Sequence, residues 1–257
     1  MMKNAPADPS HPRSQKVIVV MPAYNASKTL RATYERIPLN YVDEIILVDD
    51  ASHDDTFAEA EKLGIRCIRH RHNLGYGGNQ KTCYTEALRE GADIVIMLHP
   101  DGQYDPAFVG AILEPIIRGE ADVVLGSRML DRKKALEGKM PLYKFTSNIF
   151  LTTLENWVLG KTLSEYHTGY RAYSRHFLET IPFMRNSDDF VFDTQILVQA
   201  VYFHMRIAEI PVTTRYFKDA SSVGLKASII YGLKTLGVLM QYLLHQWGLV
   251  RSRLFLP

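Results

Sequence analysis

Asp93-Ile94-Val95-Ile96-Met97-Leu98-His99-Pro100-Asp101-Gly102-Gln103-Tyr104 (residues 93–104) changes character at a single position: an apolar run ends at Leu98, and an imidazole, a carboxylate and an amide follow. A short continuous apolar run bounded by turn residues reads as a strand buried on both faces. In open α/β sheets, ligands bind just beyond the strand ends. An acidic strand end in that crevice suits a divalent cation better than core packing, and a cation there can bridge the diphosphate of a nucleotide.

The same alternation extends outward. Val17 to Met21, Glu44 to Val48, Arg66 to Arg69, Ile94 to Leu98 and Val123 to Leu125 read as strands separated by helical patterns, which predicts an α/β fold with a mostly parallel central sheet flanked by helices. Ser27 is placed to cap one helix and Asp54 a second that runs to Leu63 and stops at Gly64; Asn79 to Glu90 forms a third, ended by Gly91. Beyond Arg128, the polar stretch from Asp131 to Gly138 reads as a mobile loop. Met140 to Gly160 reads as a largely apolar helix with polar residues on one side, 190–204 as another helix, and Ile207 to Val212 as a closing strand.

Composition bounds the class. With 257 residues and 46% apolar content the chain can bury one large domain or two intimate halves, and a net charge of +2 gives no nucleic-acid signal. Cys67 and Cys83 offer neither a disulfide framework nor paired metal spacing, so both read as small core residues in a reducing compartment. Residues 1–15 carry Pro6, Pro9 and Pro12 without an apolar run and read as a disordered lead rather than a signal peptide. At the other end, Leu225, Ile229, Leu233, Leu236, Met240, Leu243 and Trp247 share one helical face. The segment after Asp219 holds Lys226, Lys234, Arg251 and Arg253 with no acidic residue. Residues 221–257 therefore read as an amphipathic helix, either packed on the core or docked at an anionic membrane surface. Lys234 argues against a spanning segment.

Three further strand-end clusters accompany Asp101. Pro22-Ala23-Tyr24-Asn25 turns the chain and leaves Tyr24 free to lie against a planar base. Val48-Asp49-Asp50-Ala51-Ser52-His53-Asp54-Asp55-Thr56 sets Asp49 and Asp50 side by side, and either can accept from a base N–H or a ribose hydroxyl. In Asn73-Leu74-Gly75-Tyr76-Gly77-Gly78-Asn79, Gly75, Gly78 and Asn79 form a turn where backbone can approach a ligand and helical N–H groups can meet an anion. Gln80 stands where a dinucleotide fingerprint needs its third glycine, so that fingerprint is absent. Arg128, in Gly126-Ser127-Arg128, can add a positive contact to the diphosphate, while Lys139, Lys144 and Arg171 can face an anionic acceptor.

These clusters, together with Gln103 and His167-Thr168-Gly169-Tyr170-Arg171, resemble the ordered motifs of family 2 glycosyltransferases over residues 16–217. The chain is most similar to the branch of dolichyl-phosphate mannosyltransferases and polyprenyl-phosphate glucosyltransferases. The resemblance implies a GT-A fold with a nucleotide-sugar half (16–128) and an acceptor half (129–220), a divalent metal (Mn or Mg), and inverting transfer of a hexose from a donor of UDP-glucose or GDP-mannose type to a polyprenyl phosphate. By position, Pro22, Tyr24, Asn25 and Asp50 match nucleoside contacts, Asp101 and Gln103 metal ligands, and Arg128 a phosphate-binding arginine; Lys144 falls near a second basic contact. Two departures stand out. His99 replaces the first carboxylate of the usual Asp-X-Asp, and imidazole suits Mn or Zn better than Mg; Tyr76 stands where relatives often carry lysine.

A lipid monophosphate has a second pKa of about 6 and is already anionic near neutral pH, so its attack needs no general base. A hydroxyl acceptor would need one, with Asp188, Asp189 and Asp193 as candidates; Asp188-Asp189 can instead serve as a helix N-terminal cap. A phosphoreceiver-like domain would place its acidic pair after the first strand and leaves 129–257 without a role. A non-catalytic nucleotide-sugar binder is the reading suggested by His99. The expected location is cytoplasmic, at the inner face of a membrane, with peripheral membrane contact.

Overall fold

The structure, a computed structural model, describes residues 15–137, 140–214 and 225–256. The proline-bearing lead up to residue 14, Gly138, Lys139 and residues 215–224 lie outside the described residues. The strands are β1 (Val17–Ala23), β2 (Glu44–Asp49), β3 (Arg66–Arg69), β4 (Ile94–Met97), β5 (Val123–Ser127), β6 (Arg171–Ser174) and β7 (Ile207–Pro211). The helices are α1 (Leu30–Tyr34), α2 (Thr56–Lys62), α3 (Tyr76–Arg89), α4 (Val109–Ile117), α5 (Arg132–Glu137), α6 (Leu142–Leu159), α7 (Arg175–Thr180), α8 (Phe192–Tyr202) and α9 (Leu225–Gln246).

The strands form one seven-stranded sheet in the order β3-β2-β1-β4-β6-β5-β7, and only β6 runs antiparallel to its neighbours. Side chains alternate across a strand, so Ile18, Val20, Val95 and Met97 pack on one face with Tyr84 of α3 and Phe192 of α8, while Val17, Val19, Ile94 and Ile96 pack on the other with Ile112 and Leu113 of α4. Each such side chain, fully buried, contributes about 1.5–3 kcal/mol of transfer free energy. The direction of β6 matters most for function. The parallel strands end along one edge of the sheet, and the antiparallel β6 begins there, which brings His167 to Tyr170 beside the ends of β4 and β5.

Several local expectations change. Ser27 caps no helix; its hydroxyl donates to Asp54 Oδ2 (2.7 Å), and α1 starts later, after Thr29. Asp54 does receive the Thr56 amide (3.0 Å) at the start of α2. The stretch expected as a loop contains α5, whose Ala135 is buried with Met129 and Met140.

The largest departure is in the helices of the second half. In α6 the buried stripe is Asn148, Thr152, Glu155 and Leu159, mostly polar, whereas Leu142, Phe150 and Trp157 face outward, Trp157 being 80% exposed. For α9 the sequence leaves core packing and surface docking open; its apolar stripe lies outward at Ile229, Leu233, Leu236 and Met240, with Trp247 just beyond it, and Thr235, Val238 and Leu239 face inward. Among the described residues no helix is long and apolar enough to cross a membrane.

Candidate active site

A cavity of about 980 Å³ opens along the sheet edge where the parallel strands end. Pro22 and Tyr24 from β1 and its turn, Asp50 after β2, Gly75 and Asn79 at the start of α3, and His99, Asp101 and Gln103 after β4 lie on its wall. Arg128 after β5, Lys144 on α6 and Asp189 before α8 line it as well.

The four sites found at strand ends hold one another in place. Asn79 donates to the carbonyls of Val48 (3.1 Å) and Ala23 (3.3 Å), pinning the ends of β2 and β1 together. Tyr24 stays half exposed on the wall. Asn25 is off the wall: its side-chain oxygen accepts the His53 amide (2.9 Å), which fixes a backbone held at φ +52°. Asp49 also points away, fully buried against Arg69 Nε (3.2 Å) and receiving the Ser52 amide.

Asp50 and the glycine turn have a different relation from the one expected. The Asp50 carboxylate accepts the amides of Leu74 (2.8 Å) and Gly75 (3.0 Å) and meets His70 Nδ1 (2.7 Å), so the anion at this turn is the protein's own. The helical N–H groups are occupied as well, since Gly77 N donates to the Asp188 carbonyl at 2.8 Å. A Cβ at position 75 would stand 2.6 Å from the Asp188 oxygen, and one at 77 only 2.3 Å from the Ser187 oxygen. The glycines therefore admit backbone 187–188 rather than a ligand, and Gly78 faces Leu74 and Asp188, off the cavity wall.

At the end of β4, Asp101 Oδ1 accepts the Gln103 amide (2.9 Å) in a tight turn. Burial pushes the Asp101 carboxyl above its usual range, more than the nearby His99 charge pulls it down. A desolvated carboxylate on a cavity wall is suited to a cation. No three His, Cys, Asp or Glu side chains converge as a metal cage among the described residues.

Arg128, also on the cavity wall, is held by Glu165. The Glu165 carboxylate takes the Arg128 amide (2.8 Å) and Nε (2.8 Å) and also bonds Nη2, while Arg128 Nη2 donates to the His167 carbonyl (2.7 Å). Burial raises the Glu165 carboxyl, but the Arg128 charge and hydrogen bonds outweigh it and leave it below the usual range. Asn148 of α6 donates to the same carboxylate (2.8 Å). Lys144 sits nearby with its ammonium pKa lowered by burial and by Arg128.

Arg171 does not face an acceptor. It is fully buried, with Nε on the Thr168 carbonyl (2.7 Å), Nη2 on the Tyr166 carbonyl (3.0 Å) and Nη1 3.4 Å from Asp193 Oδ1, so it holds the loop before β6 rather than lining the cavity. Of the carboxylates near α8, Asp188 pairs with Lys81 (2.7 Å) and Asp189 with Lys234, which holds the Asp189 carboxyl below its usual range. Neither serves as a side-chain cap for α8.

Two groups of residues escape a linear reading. Glu165 is an acidic residue just ahead of the His167 to Arg171 motif, the one sequence cue to its role. Glu155, fully buried on α6, lies 3.1 Å from His167 Nε2, whose Nδ1 meets the Tyr231 hydroxyl of α9 (2.9 Å). His167 and Tyr231 both reach the cavity.

The sequence profile of Glycosyl transferase family 2 matches residues 18–181. The chain is 26% identical to the UDP-N-acetylglucosamine–dolichyl-phosphate N-acetylglucosaminyltransferase of Methanococcus voltae, across 85% of this chain and 92% of that one. It is also 26% identical to the polyprenol monophosphomannose synthase of Mycolicibacterium smegmatis, across 82% of each. Among solved structures, glucosyl-3-phosphoglycerate synthase from Mycobacterium tuberculosis, crystallised with Mn2+, UDP and phosphoglyceric acid, superposes with a TM-score of 0.68 at 20% identity, covering 89% of this chain and 78% of that one; the two share the GT-A fold. With the profile spanning more than half of its residues and the strand-end clusters in the family's order, this chain belongs to glycosyl transferase family 2.

Proposed function

We propose that this glycosyltransferase moves a hexose from a UDP- or GDP-sugar to a polyprenyl phosphate, with inversion at the anomeric carbon. The observation that carries the reading is the set of charges gathered on one cavity, a desolvated carboxylate at Asp101 together with the cations Arg128 and Lys144. The carboxylate suits a cation on the donor diphosphate, and the two cations suit the phosphate oxygens of donor and acceptor. The names of the Methanococcus and Mycolicibacterium relatives support the acceptor class.

Asp101, Gln103 and His99 would hold the divalent metal, Mn or Mg. Bound there, a divalent cation supplies Lewis-acid stabilisation of the charge on the leaving nucleoside diphosphate. Pro22, Tyr24 and the Asp50-stiffened turn would seat the nucleoside. Arg128, immobilised by Glu165, would present its guanidinium to phosphate oxygens without further ordering cost. The acceptor phosphate is its own nucleophile, and the protein's task is to bring two anions together. Lys234 holds the Asp189 carboxyl below its usual range, and Asp188 and Asp193 are each engaged by a cation of the chain, Lys81 and Arg171, which weighs against a hydroxyl acceptor.

The outward apolar faces of α6 and α9 support peripheral docking at a membrane, where polyprenyl phosphates reside. Rows such as Leu142, Phe150 and Trp157, and Ile229, Leu233 and Trp247, are the kind of exposed apolar surface that marks an interaction site. A thermal-shift screen of UDP- and GDP-sugars with Mn2+ tests the donor half of the reading, because a ligand bound only by the native state raises Tm. Stabilisation by a nucleotide sugar is expected, and its absence across the panel would overturn the reading.

A further inference from the structure

The two departures from the family pattern, His99 and Tyr76, are in contact. Their rings stack with centroids 5.4 Å apart and planes 20° from parallel, and the Tyr76 hydroxyl lies 3.2 Å from His99 Nε2. The same hydroxyl lies 2.8 Å from Asp193 Oδ2. Asp193 in turn receives Gln80 Nε2 (3.2 Å) and faces the buried Arg171 guanidinium (3.4 Å) on its other oxygen.

The proton count along this chain has one solution. Asp193, an anion beside Arg171, can only accept, and Tyr76 has one hydroxyl proton to give. The bond to the carboxylate is shorter and charge-assisted, so the proton goes there. Toward His99 the phenol then presents only a lone pair, and the nitrogen facing it must carry a hydrogen. A ring flip is disfavoured, since it would put a carbon in place of Nε2. The ring is also hemmed in at Gly169, where a Cβ would stand 3.0 Å from His99 Cδ2.

We propose that Tyr76 and Asp193 are positioning residues that lock His99 as its Nε2–H tautomer, so that the Nδ1 lone pair is the nitrogen donor for the cation held with Asp101 and Gln103. The inference rests on the metal-assisted reading above. An imidazole whose other nitrogen donates to a fixed acceptor is the usual second layer of a histidine metal site. Tyr76 and His99 thereby act as one unit, and a nitrogen donor shifts preference from Mg toward Mn or Zn.

The tautomer is read directly by long-range 1H–15N NMR of the metal-free, histidine-labelled full chain at about pH 8, where imidazoles are neutral, with the His99 signal assigned by its loss in His99→Gln. Expected is a protonated Nε2 and a bare Nδ1 in the parent, and a mixture of tautomers in Tyr76→Phe. Pulsed EPR of the parent with MnCl2 and UDP or GDP should show coupling to one imidazole nitrogen. Calorimetry should show Mn2+ affinity about tenfold weaker in Tyr76→Phe, the low end of losses for such outer partners. An Nδ1–H tautomer, or an Mn–nucleotide complex with no nitrogen coupling, would overturn the proposal. Failure of Mn2+ and both nucleotides to bind at all would instead overturn the functional reading, while the metal-free spectrum still decides the tautomer.

Discussion

Glu165 grips Arg128 at two levels, taking the backbone amide with Oε2 and the guanidinium Nε with Oε1, both at 2.8 Å, from a position with no solvent exposure. A cation on the cavity wall is thus positioned by a residue outside the cavity lining. Removing one member of a buried pair leaves the other uncompensated, at about 3–5 kcal/mol. Glu165→Ala should lose stability on that scale in urea unfolding, and Glu165→Gln less, because the amide can still meet some of the bonds. Equal, small losses in both would show that the pair is not held as described.

The same pair sets a pH dependence, together with Asp122, whose carboxyl the Arg206 hydrogen bonds hold below its usual range. Both folded-state values are depressed, so their stabilisation is complete above the unfolded values of about 4. It is lost as pH falls through the folded values. Tm should drop on acidification below about pH 4.5, and the drop should be shallower in a Glu165→Gln, Asp122→Asn double variant. An unchanged slope would assign acid sensitivity to other groups.

Gly77 and Gly64 separate close approach from backbone strain. Gly64 has φ +69°, and a Cβ added there would meet nothing within 4 Å, so Gly64→Ala should cost only the left-handed penalty of about 1–2 kcal/mol. A methyl at 77 meets the Ser187 oxygen and Phe192 Cβ, and must push the 187–188 backbone away from α3. Gly77→Ala should therefore destabilise more and also weaken nucleotide binding, because the displaced segment lines the cavity. Comparable melting points for the two variants would contradict that packing.

Trp157 and Trp247 are 80% and 64% exposed on α6 and just beyond α9. If these faces meet lipid, the chain should co-sediment with vesicles containing phosphatidylglycerol, less with purely zwitterionic ones, and less again as Trp157→Ala, Trp247→Ala. Stability should hardly change, since exposed side chains contribute little to it. Equal sedimentation of parent and variant would remove these helices from the contact.

Most of the parallel strands are legible in the sequence because they are short apolar runs followed by turn residues, and the strand-end position of Asp101 is legible because it follows such a run; β3, Arg66-Cys-Ile-Arg69, is a run of only two apolar residues. β6 is not, since Arg171-Ala-Tyr-Ser174 has no apolar run and the carboxylate that neutralises its arginine, Asp193, comes from a separate helix. Asn25, Asp49, Gly78 and Arg171 serve roles other than those expected for a related reason: residue type announces hydrogen-bonding capacity, but not whether the bonds go to a ligand or to the chain itself. The orientation of α6 is hidden because the periodicity is readable and its polarity is not. The buried side had to satisfy Glu165 and His167, which put Asn148 and Glu155 inward.

The most direct test of the central claim is transfer itself. The full chain is incubated with labelled UDP-glucose, UDP-N-acetylglucosamine or GDP-mannose, MnCl2 and either a polyprenyl phosphate or the unphosphorylated polyprenol, and the organic phase is counted. Expected is labelled lipid from at least one donor with the phosphate acceptor, none with the alcohol, and loss of the product in Asp101→Asn. Donor binding without any lipid product, or equal labelling of the alcohol, would contradict the assignment of a polyprenyl phosphate acceptor.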